Sequence, residues 1–386
     1  MKLIVRNGVV LEKVLFFFFF ILCITSFFDF DGYNVLPTSL LFELLFFFTV
    51  LLSFGPKNKK MIYLSFVSFG YFVYCYFLSL YNNINLTDYV VAYKFVLYFT
   101  VLPLFVNKSL LSEKTINSIL WGLLVAFFLK YSINFYLSSN TRPGVFFENN
   151  YELCFLLILY FLDFTLRSNR EDIRKTLFIV AILLLSGSRS ALMSFVFIYV
   201  SILFISSTYV NARLVARLGM VITSIIIVFY IFVDRIPDGG IESIDRFVFL
   251  REFVFNLKDW DILTYFKGTP VLTPLSDATC RNLSFYSVLF SSDGTTCYSV
   301  VLHSFLLRVI YDHGLVGLFL VFFIINTLLK VKGFESKNRY VILGVVFLNS
   351  ISVSAINSVF VMMGLLFCFI SPLKSKECKV INGKLI

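Results

Sequence analysis

The sequence has little charge and few of the residues that most often act as catalytic bases. Only 15% of its 386 residues are Asp, Glu, Lys or Arg, and it contains two histidines and two tryptophans. This low charge, with 59% hydrophobic residues and a mean hydropathy of +0.88, excludes an ordinary soluble domain. The chain is therefore predicted to be a polytopic membrane protein, and its net charge of +10 needs no nucleic-acid partner to explain it.

Motifs for nucleotides and metals are also missing. The sequence contains no P-loop, no GxGxxG segment on a soluble domain and no H-E-x-x-H motif. It has no pair of carboxylates at a metal-binding spacing. We therefore expect neither a cofactor nor a metal, so energy for any reaction must arrive with the substrate or through an ion gradient.

Long apolar runs are what the sequence has in abundance. They are about 15–22 residues long, which suits helices that cross roughly 30 Å of hydrocarbon. They predict an all-α polytopic protein with about twelve transmembrane helices in a single integral membrane domain, 1–386. The predicted spans lie near residues 14–28, 37–54, 61–80, 89–106, 116–137, 151–166, 174–187, 190–207, 214–233, 304–328, 340–353 and 355–371.

Lysine and arginine are distributed unevenly among the connections between these runs. With the N-terminus in the cytoplasm, the connections on that side carry 22 Lys and Arg residues, whereas the short connections on the other side carry only Arg142 and Arg189. Positive charge is enriched in cytoplasmic loops. Both termini are therefore predicted to be cytoplasmic.

One connection is long. Residues 234–303 form a loop of about 70 residues on the non-cytoplasmic side, between spans 9 and 10, with enough aromatic residues to pack a small cap. It contains Cys280 and Cys297, the two cysteines predicted to lie outside the membrane on that side. In an oxidising compartment they would close a disulfide loop of roughly 16 residues, worth about 3 kcal/mol. The sequence leaves open whether they do.

Two arginines on that side interrupt the apolar sequence. Arg142 opens the segment RPGVFFENNYE, where proline and glycine predict a turn and Glu148 follows at the entrance to the sixth span. The alternative is an interfacial loop whose arginine reaches lipid headgroups. Arg189 lies in LLLSGSRSALMSF, between two apolar runs. An arginine near membrane depth needs a partner or a watery cavity, and serines at a helix terminus suit an anion such as phosphate.

The remaining polar segments flank the end of the long loop. Arg246 and Arg251 in IDRFVFLREF are about 140° apart around a helix, so they need not share a face, and an amphipathic surface helix explains them equally well. Both histidines occur in HSFLLRVIYDHGLVG. His303 stands where the loop re-enters the membrane and is a candidate general base. Asp312 is costly in an apolar helix unless paired, and we expect Arg308, at i−4, to pair with it.

In this order, RPGVFFEN, SGSRSA, DRF…LREF and HSFLLRVIYDHGLVG resemble segments of the O-antigen polymerase and ligase superfamily. The resemblance covers most of the chain, through the order of spans and these four short motifs. Members are Wzy-type polysaccharide polymerases and O-antigen ligases of the bacterial inner membrane. The resemblance implies a metal-independent, inverting glycosyl transfer from an undecaprenyl diphosphate-linked sugar on the periplasmic face, without a cofactor.

The resemblance also implies roles for single residues. His303 matches the family histidine and is the expected catalytic base, whereas Asp312 stands where glutamate is common. The sequence GTP at 268–270 similarly stands where a G-x-G turn is common. The residues expected to bind diphosphate or sugar are Arg142, Arg189, Arg246, Arg251 and Glu148.

Three functions remain open. A polymerase adds glycan to a lipid-linked repeat unit, a ligase adds it to lipid A core, and a transporter moves a lipid-linked oligosaccharide without chemistry. Transporters often have internal repeats and midplane charges, but Glu43, Lys94, Lys130 and Asp163 are scattered along this chain. The compact loop and the segment FFENNYE favour a polymerase. Its expected partners are an undecaprenyl diphosphate-linked oligosaccharide and the bilayer, and a chain-length regulator stays an open question.

Overall fold

The computed structural model describes residues 2–29, 32–51, 58–106, 108–137, 144–206 and 244–373, with the isolated positions 219, 223 and 226. The structure is 78% helical, and no β-strand occurs in these residues. Within the same ranges, four helices are long and apolar enough to cross a membrane: Gly8–Ser26, Lys59–Tyr81, Glu113–Leu137 and Phe305–Lys332. The architecture is therefore that of an all-α protein with apolar helices that suit membrane insertion.

Fourteen α-helices lie in the described part of the chain. They are α1 (Lys2–Ser26), α2 (Thr38–Leu51), α3 (Lys59–Tyr81), α4 (Leu86–Val101), α5 (Glu113–Leu137), α6 (Asn149–Leu166), α7 (Ile173–Ser186), α8 (Arg189–Ser206), α9 (Asp245–Asn256), α10 (Ile262–Lys267), α11 (Asp277–Asn282), α12 (Phe305–Lys332), α13 (Ser336–Ser352) and α14 (Val359–Ile370). Eleven of the predicted apolar segments coincide with one of these helices. The other predicted segment, 214–233, lies outside the described residues except at three positions.

Helices α6 and α14 form the centre of the bundle. Every residue of α14 is buried, and so is every residue of α6 except Leu166. A helix that is apolar on all sides gains from burial on all sides. The two helices pack closely because Gly364 has no side chain, and a Cβ there would lie 3.1 Å from Ile158.

Residues 244–302 fold into a small unit that we call the cap. It contains α9, α10, α11 and two 3₁₀ turns, Ser284–Leu289 and Ser299–Leu302, around its own apolar core. The segment KDWDILTYFKGTP contains α10, which Asp261 caps by accepting from the Thr264 N–H at 2.8 Å. Cys280 and Cys297 both lie in the cap as free thiols.

A sharp kink in α12 seats the cap on the bundle. Gly314 has φ +65° and ψ −173°, which breaks the helix there. A Cβ at this position would collide with the Phe266 carbonyl of α10, so only glycine allows the two backbones to approach this closely. The Thr269 N–H also donates to the Tyr311 carbonyl at 2.9 Å.

A break between α13 and α14 forms the floor under the cap. Val353 is extended, residues Ala355–Asn357 form a 3₁₀ turn, and Ser358 caps α14. Asn357 ties this break to α4, because its side chain accepts from the Phe95 N–H at 3.0 Å and donates to the Val91 carbonyl at 2.6 Å. The break therefore holds polar backbone inside an apolar bundle.

Candidate functional site

His303 lies at the junction of the cap and the bundle. It follows the 3₁₀ turn Ser299–Leu302 and precedes α12, whose first turn is capped by Ser304. Its φ of +56° is in the left-handed region, which a non-glycine residue adopts at a cost. Strained residues of this kind persist where the surrounding structure holds them, often at functional sites. The side chain is 37% exposed, so the imidazole is accessible.

Glu148 faces His303 from α6. The Glu148 Oε1 and His303 Nε2 atoms are 3.9 Å apart. Glu148 occupies the N-cap position of α6, but its carboxylate does not cap the helix. It is therefore able to reach His303 and to accept a hydrogen bond from the Asn150 amide at 3.1 Å.

Asn150 connects Glu148 to the turn between α7 and α8. Its Oδ1 accepts from the Ser188 hydroxyl at 2.7 Å and from the Ser190 hydroxyl at 3.2 Å. Gly187 makes this turn possible, since it ends α7 in a left-handed conformation with φ +59°. Arg189, predicted to bind an anion, stands between the two serines as the first residue of α8. We call the set Glu148, Asn150, Ser188, Ser190 and His303 the His303 cluster.

Glu152 fixes the segment that presents Glu148. It is fully buried, and its carboxylate accepts from the backbone N–H groups of Val145, Phe146 and Phe147 at 2.7–3.3 Å and from the Tyr131 hydroxyl at 2.7 Å. The single Glu152 carboxylate thus accepts hydrogen bonds from three consecutive backbone N–H groups. No role was predicted for Glu152 from the sequence, where the available signal was an acid one turn into an apolar helix that follows a glycine turn.

Arg308 lies beneath His303. Contrary to the prediction, it does not form an ion pair with Asp312. Asp312 accepts from the Ser299 hydroxyl at 2.8 and 3.0 Å, and no ion pair joins Arg308 to it within 4.0 Å. Arg308 is buried and donates instead to the Ser354 hydroxyl at 2.8 Å, which in turn donates to the His303 carbonyl at 3.3 Å. A spacing of four residues allows an ion pair, but tertiary contacts decide the rotamer. The site therefore contains a buried guanidinium that the prediction had assigned elsewhere.

The two arginines of α9 occupy different surroundings. Arg246 donates to the Ser352 hydroxyl at 2.7 Å and its carbonyl at 3.3 Å, at the end of α13 beside the break that carries Ser354. Arg251 pairs with its neighbour Glu252 at 3.2 Å, is 61% exposed and lines a separate surface cavity of about 670 Å³. Only Arg246 of this pair therefore reaches the break below the cap.

Arg142 lies outside the described residues. His313 is apart from the His303 cluster, because its ring is enclosed by Tyr93 and Phe95 and its Nδ1 lies 2.8 Å from the Tyr71 hydroxyl. Within the described ranges, no three His, Cys, Asp or Glu side chains gather closely enough to hold a metal ion.

The His303 cluster combines three chemical capacities. An accessible imidazole next to a carboxylate suits proton transfer. The hydroxyls of Ser188 and Ser190 donate to Asn150, and their lone pairs can accept hydrogen bonds from the hydroxyls of a ligand. The guanidinium groups of Arg189, at the site, and Arg308, below it, favour binding of an anion.

Comparisons with protein-family models, curated proteins and solved structures find no match to this chain.

Proposed function

We propose that the chain is a Wzy-type polysaccharide polymerase that transfers a growing glycan from undecaprenyl diphosphate to a lipid-linked repeat unit. The observation that supports this most is the 3.9 Å approach of Glu148 to His303 at one end of an apolar helix bundle. The two residues come from two of the four motifs that resemble the family. Ser188 and Ser190, from a third motif, are linked to Glu148 through Asn150.

The proposal includes a topology. About twelve helices cross the bacterial inner membrane, the cap is periplasmic and both termini are cytoplasmic. The excess of Lys and Arg in the connections assigned to the cytoplasm supports this orientation. The His303 cluster then opens to the periplasm, where lipid-linked repeat units are available.

His303 acts as the base. As the acceptor hydroxyl attacks the anomeric carbon, the new C–O bond forms on the face opposite the diphosphate and the anomeric configuration inverts. The hydroxyl proton passes to the His303 imidazole. Glu148, whose Oε1 lies 3.9 Å from His303 Nε2, faces the imidazolium that forms.

The arginines act on the leaving group. Breaking the bond between the anomeric carbon and the diphosphate oxygen leaves an additional negative charge on undecaprenyl diphosphate. Arg142, Arg189 and Arg246 contact this anion, since a guanidinium fork matches phosphate oxygens. Arg308 adds positive potential from below, where burial strengthens its effect. No metal or cofactor enters the proposal.

A lipopolysaccharide gel tests the proposal. The deletion strain would carry plasmids for the wild type, His303→Ala or no protein. For a polymerase, deletion leaves core with a single repeat unit, the wild type restores the ladder, and His303→Ala reduces polymer formation by about 10²–10⁴-fold. For a ligase, deletion leaves bare core while long polymer accumulates on undecaprenyl diphosphate, and the proposal is wrong.

Two controls complete the test. Arg251→Ala changes an exposed side chain away from His303 and should restore the ladder as the wild type does. Purified protein in liposomes with a labelled lipid-linked repeat unit should form glycosidic bonds without another protein. A transporter would give no such product.

A further inference from the structure

Glu43 and Lys94, which lie 51 residues apart in the sequence, form an ion pair between α2 and α4. The Lys94 Nζ lies 3.1 Å from Glu43 Oε1, and the Tyr98 hydroxyl donates to the same oxygen at 2.5 Å. Each charge lies in an otherwise apolar helix, TSLLFELLFFFTVL or LTDYVVAYKFVLYFTV, which carries no other charge apart from Asp88. Ionisable residues in such helices are costly and commonly mark a ligand site or pathway.

Among the described residues, the pair leaves hydrogen-bonding groups of both side chains without a partner. Both contacts fall on Oε1, and among the described residues none donates to Glu43 Oε2. The Lys94 ammonium has three N–H donors, and the described residues provide one acceptor for them, Glu43 Oε1. The side chains are 27% and 21% exposed for Lys94 and Glu43. Donors and acceptors thus remain for a ligand.

The pair faces a cavity of about 710 Å³ that an aromatic ring also lines. Phe147 is 42% exposed, and its ring is held by stacking on Phe360 at 6.2 Å and by Tyr33 at 6.2 Å. A fixed, accessible ring offers an apolar face to the C–H groups of a pyranose. A carboxylate oxygen and an ammonium beside it match vicinal hydroxyls, so the combination suits a sugar better than a purely apolar ligand.

The cavity adjoins the His303 cluster. Phe147 lines the cavity and immediately precedes Glu148, whose carboxylate lies 3.9 Å from His303. Because His303 is the proposed base for the acceptor hydroxyl, a sugar bound in a cavity next to Glu148 belongs to the acceptor.

We propose that the cavity lined by Glu43, Lys94 and Phe147 binds a hydroxyl-bearing sugar of the lipid-linked acceptor. The identity of the ligand rests on the proposed glycosyl transfer. The existence of a saccharide site is tested separately, by occupancy.

Cysteine protection measures occupancy without measuring turnover. Leu40 lines the same cavity and is 56% exposed. Leu40→Cys would be introduced into a Cys280→Ser, Cys378→Ser background, and labelling by a sulfonated maleimide timed in detergent. The probe is the undecaprenyl diphosphate-linked repeat unit purified from the deletion strain, with undecaprenyl diphosphate alone as the control. We expect the repeat unit to slow labelling at least fivefold and the control to slow it less than twofold.

Two substitutions connect protection to the pair. Glu43→Gln preserves the size of the side chain and its hydrogen bond from Tyr98, and Lys94→Met preserves the volume. Both should reduce protection to less than twofold, whereas Lys114→Met, an exposed cation on α5, should leave it unchanged. A variant counts only if its size-exclusion profile and melting temperature match the parent, and the mild Glu43→Gln change makes at least one such variant available.

The outcomes separate this proposal from the function. Protection without polymer formation supports the sugar site and overturns the polymerase. Polymer formation without protection overturns the sugar site alone. Equal protection by the repeat unit and by undecaprenyl diphosphate also overturns it, because the lipid and not the sugar would then be recognised.

Discussion

Two polar regions of the bundle use the same residue types differently. One is the His303 cluster, and the other is the Asp163 network of Asn117, Asp163, Arg167, Asp172 and Lys175. In the network, Asp163 pairs with Lys175 at 2.5 Å and with Arg167 at 3.4 Å, and Asn117 accepts hydrogen bonds from both cations. Lys175 has no exposed surface. The charges of this network are directed at one another.

The His303 cluster is more open. Glu148 stops 3.9 Å from His303, and both side chains keep more than a quarter of their surface exposed. Arg308, below them, contacts a hydroxyl and a carbonyl instead of a carboxylate. Its Nε has no hydrogen-bond partner among the described residues.

The difference lies between charges that satisfy one another and charges that remain available to a ligand. A buried pair whose partners satisfy each other has little left to offer a substrate. An accessible base and a cation without a carboxylate partner retain interaction energy that a bound anion or sugar can use. Substitutions in the network should therefore affect stability, and substitutions in the cluster should affect turnover.

The largest effect on stability is expected for Lys175→Met. It leaves the Asp163 carboxylate buried without its closest cation, which should lower the free energy of unfolding by about 3–5 kcal/mol. Denaturant titration of the purified protein in mixed micelles measures this change. Adding Asp163→Leu should recover more than half of the loss, because Arg167 keeps Asp172 at 3.1 Å. By contrast, His303→Ala should change stability by less than about 1 kcal/mol while it removes activity.

If Lys175→Met folds as stably as the wild type, the distinction between the two regions fails. Strong destabilisation by His303→Ala would also contradict the distinction between the two regions.

A smaller effect, on both properties, is expected for Glu152→Gln. The amide nitrogen of Gln cannot accept the backbone N–H groups of Val145, Phe146 and Phe147, so one or two donors lose their partner, at a cost of about 1–3 kcal/mol. The released segment no longer fixes Glu148, and turnover should fall about tenfold per folded molecule. Radioactive incorporation in liposomes and the same micelle titration measure the two changes. Glu113→Gln, exposed on α5, is the matched control.

The helices of this protein could be predicted from sequence because hydrophobic length is a local property. Eleven predicted apolar segments fall on helices, and the predicted boundary near residue 353 falls in the break between α13 and α14. The six-residue length of that break was not predicted. It depends on Asn357 contacting α4, more than 250 residues earlier in the chain.

The polar partners could not be predicted in the same way. Arg308 is at the right spacing for Asp312, yet its hydrogen bonds go to Ser354 and to the Ala92 carbonyl, 216 residues away. No sequence signal pairs Glu43 with Lys94, because 51 residues separate them. Long-range packing chooses among several partners that sequence spacing allows.

The smallest expected difference separates the two arginines of α9 and sharpens the comparison within one helix. Arg246→Ala removes a guanidinium beside Ser352 at the floor of the site, and it should lower turnover about tenfold, the value of one charge-assisted hydrogen bond. Arg251→Ala removes an exposed pair with Glu252, worth at most about 1 kcal/mol, and should leave turnover within about twofold. Both variants would be assayed for the proposed glycosyl transfer in liposomes at saturating repeat unit. Equal losses of turnover in the two variants would mean that α9 acts through its net charge on the membrane surface. A loss confined to Arg246→Ala would mean that the position of the arginine below the cap, and not charge alone, decides its effect on turnover.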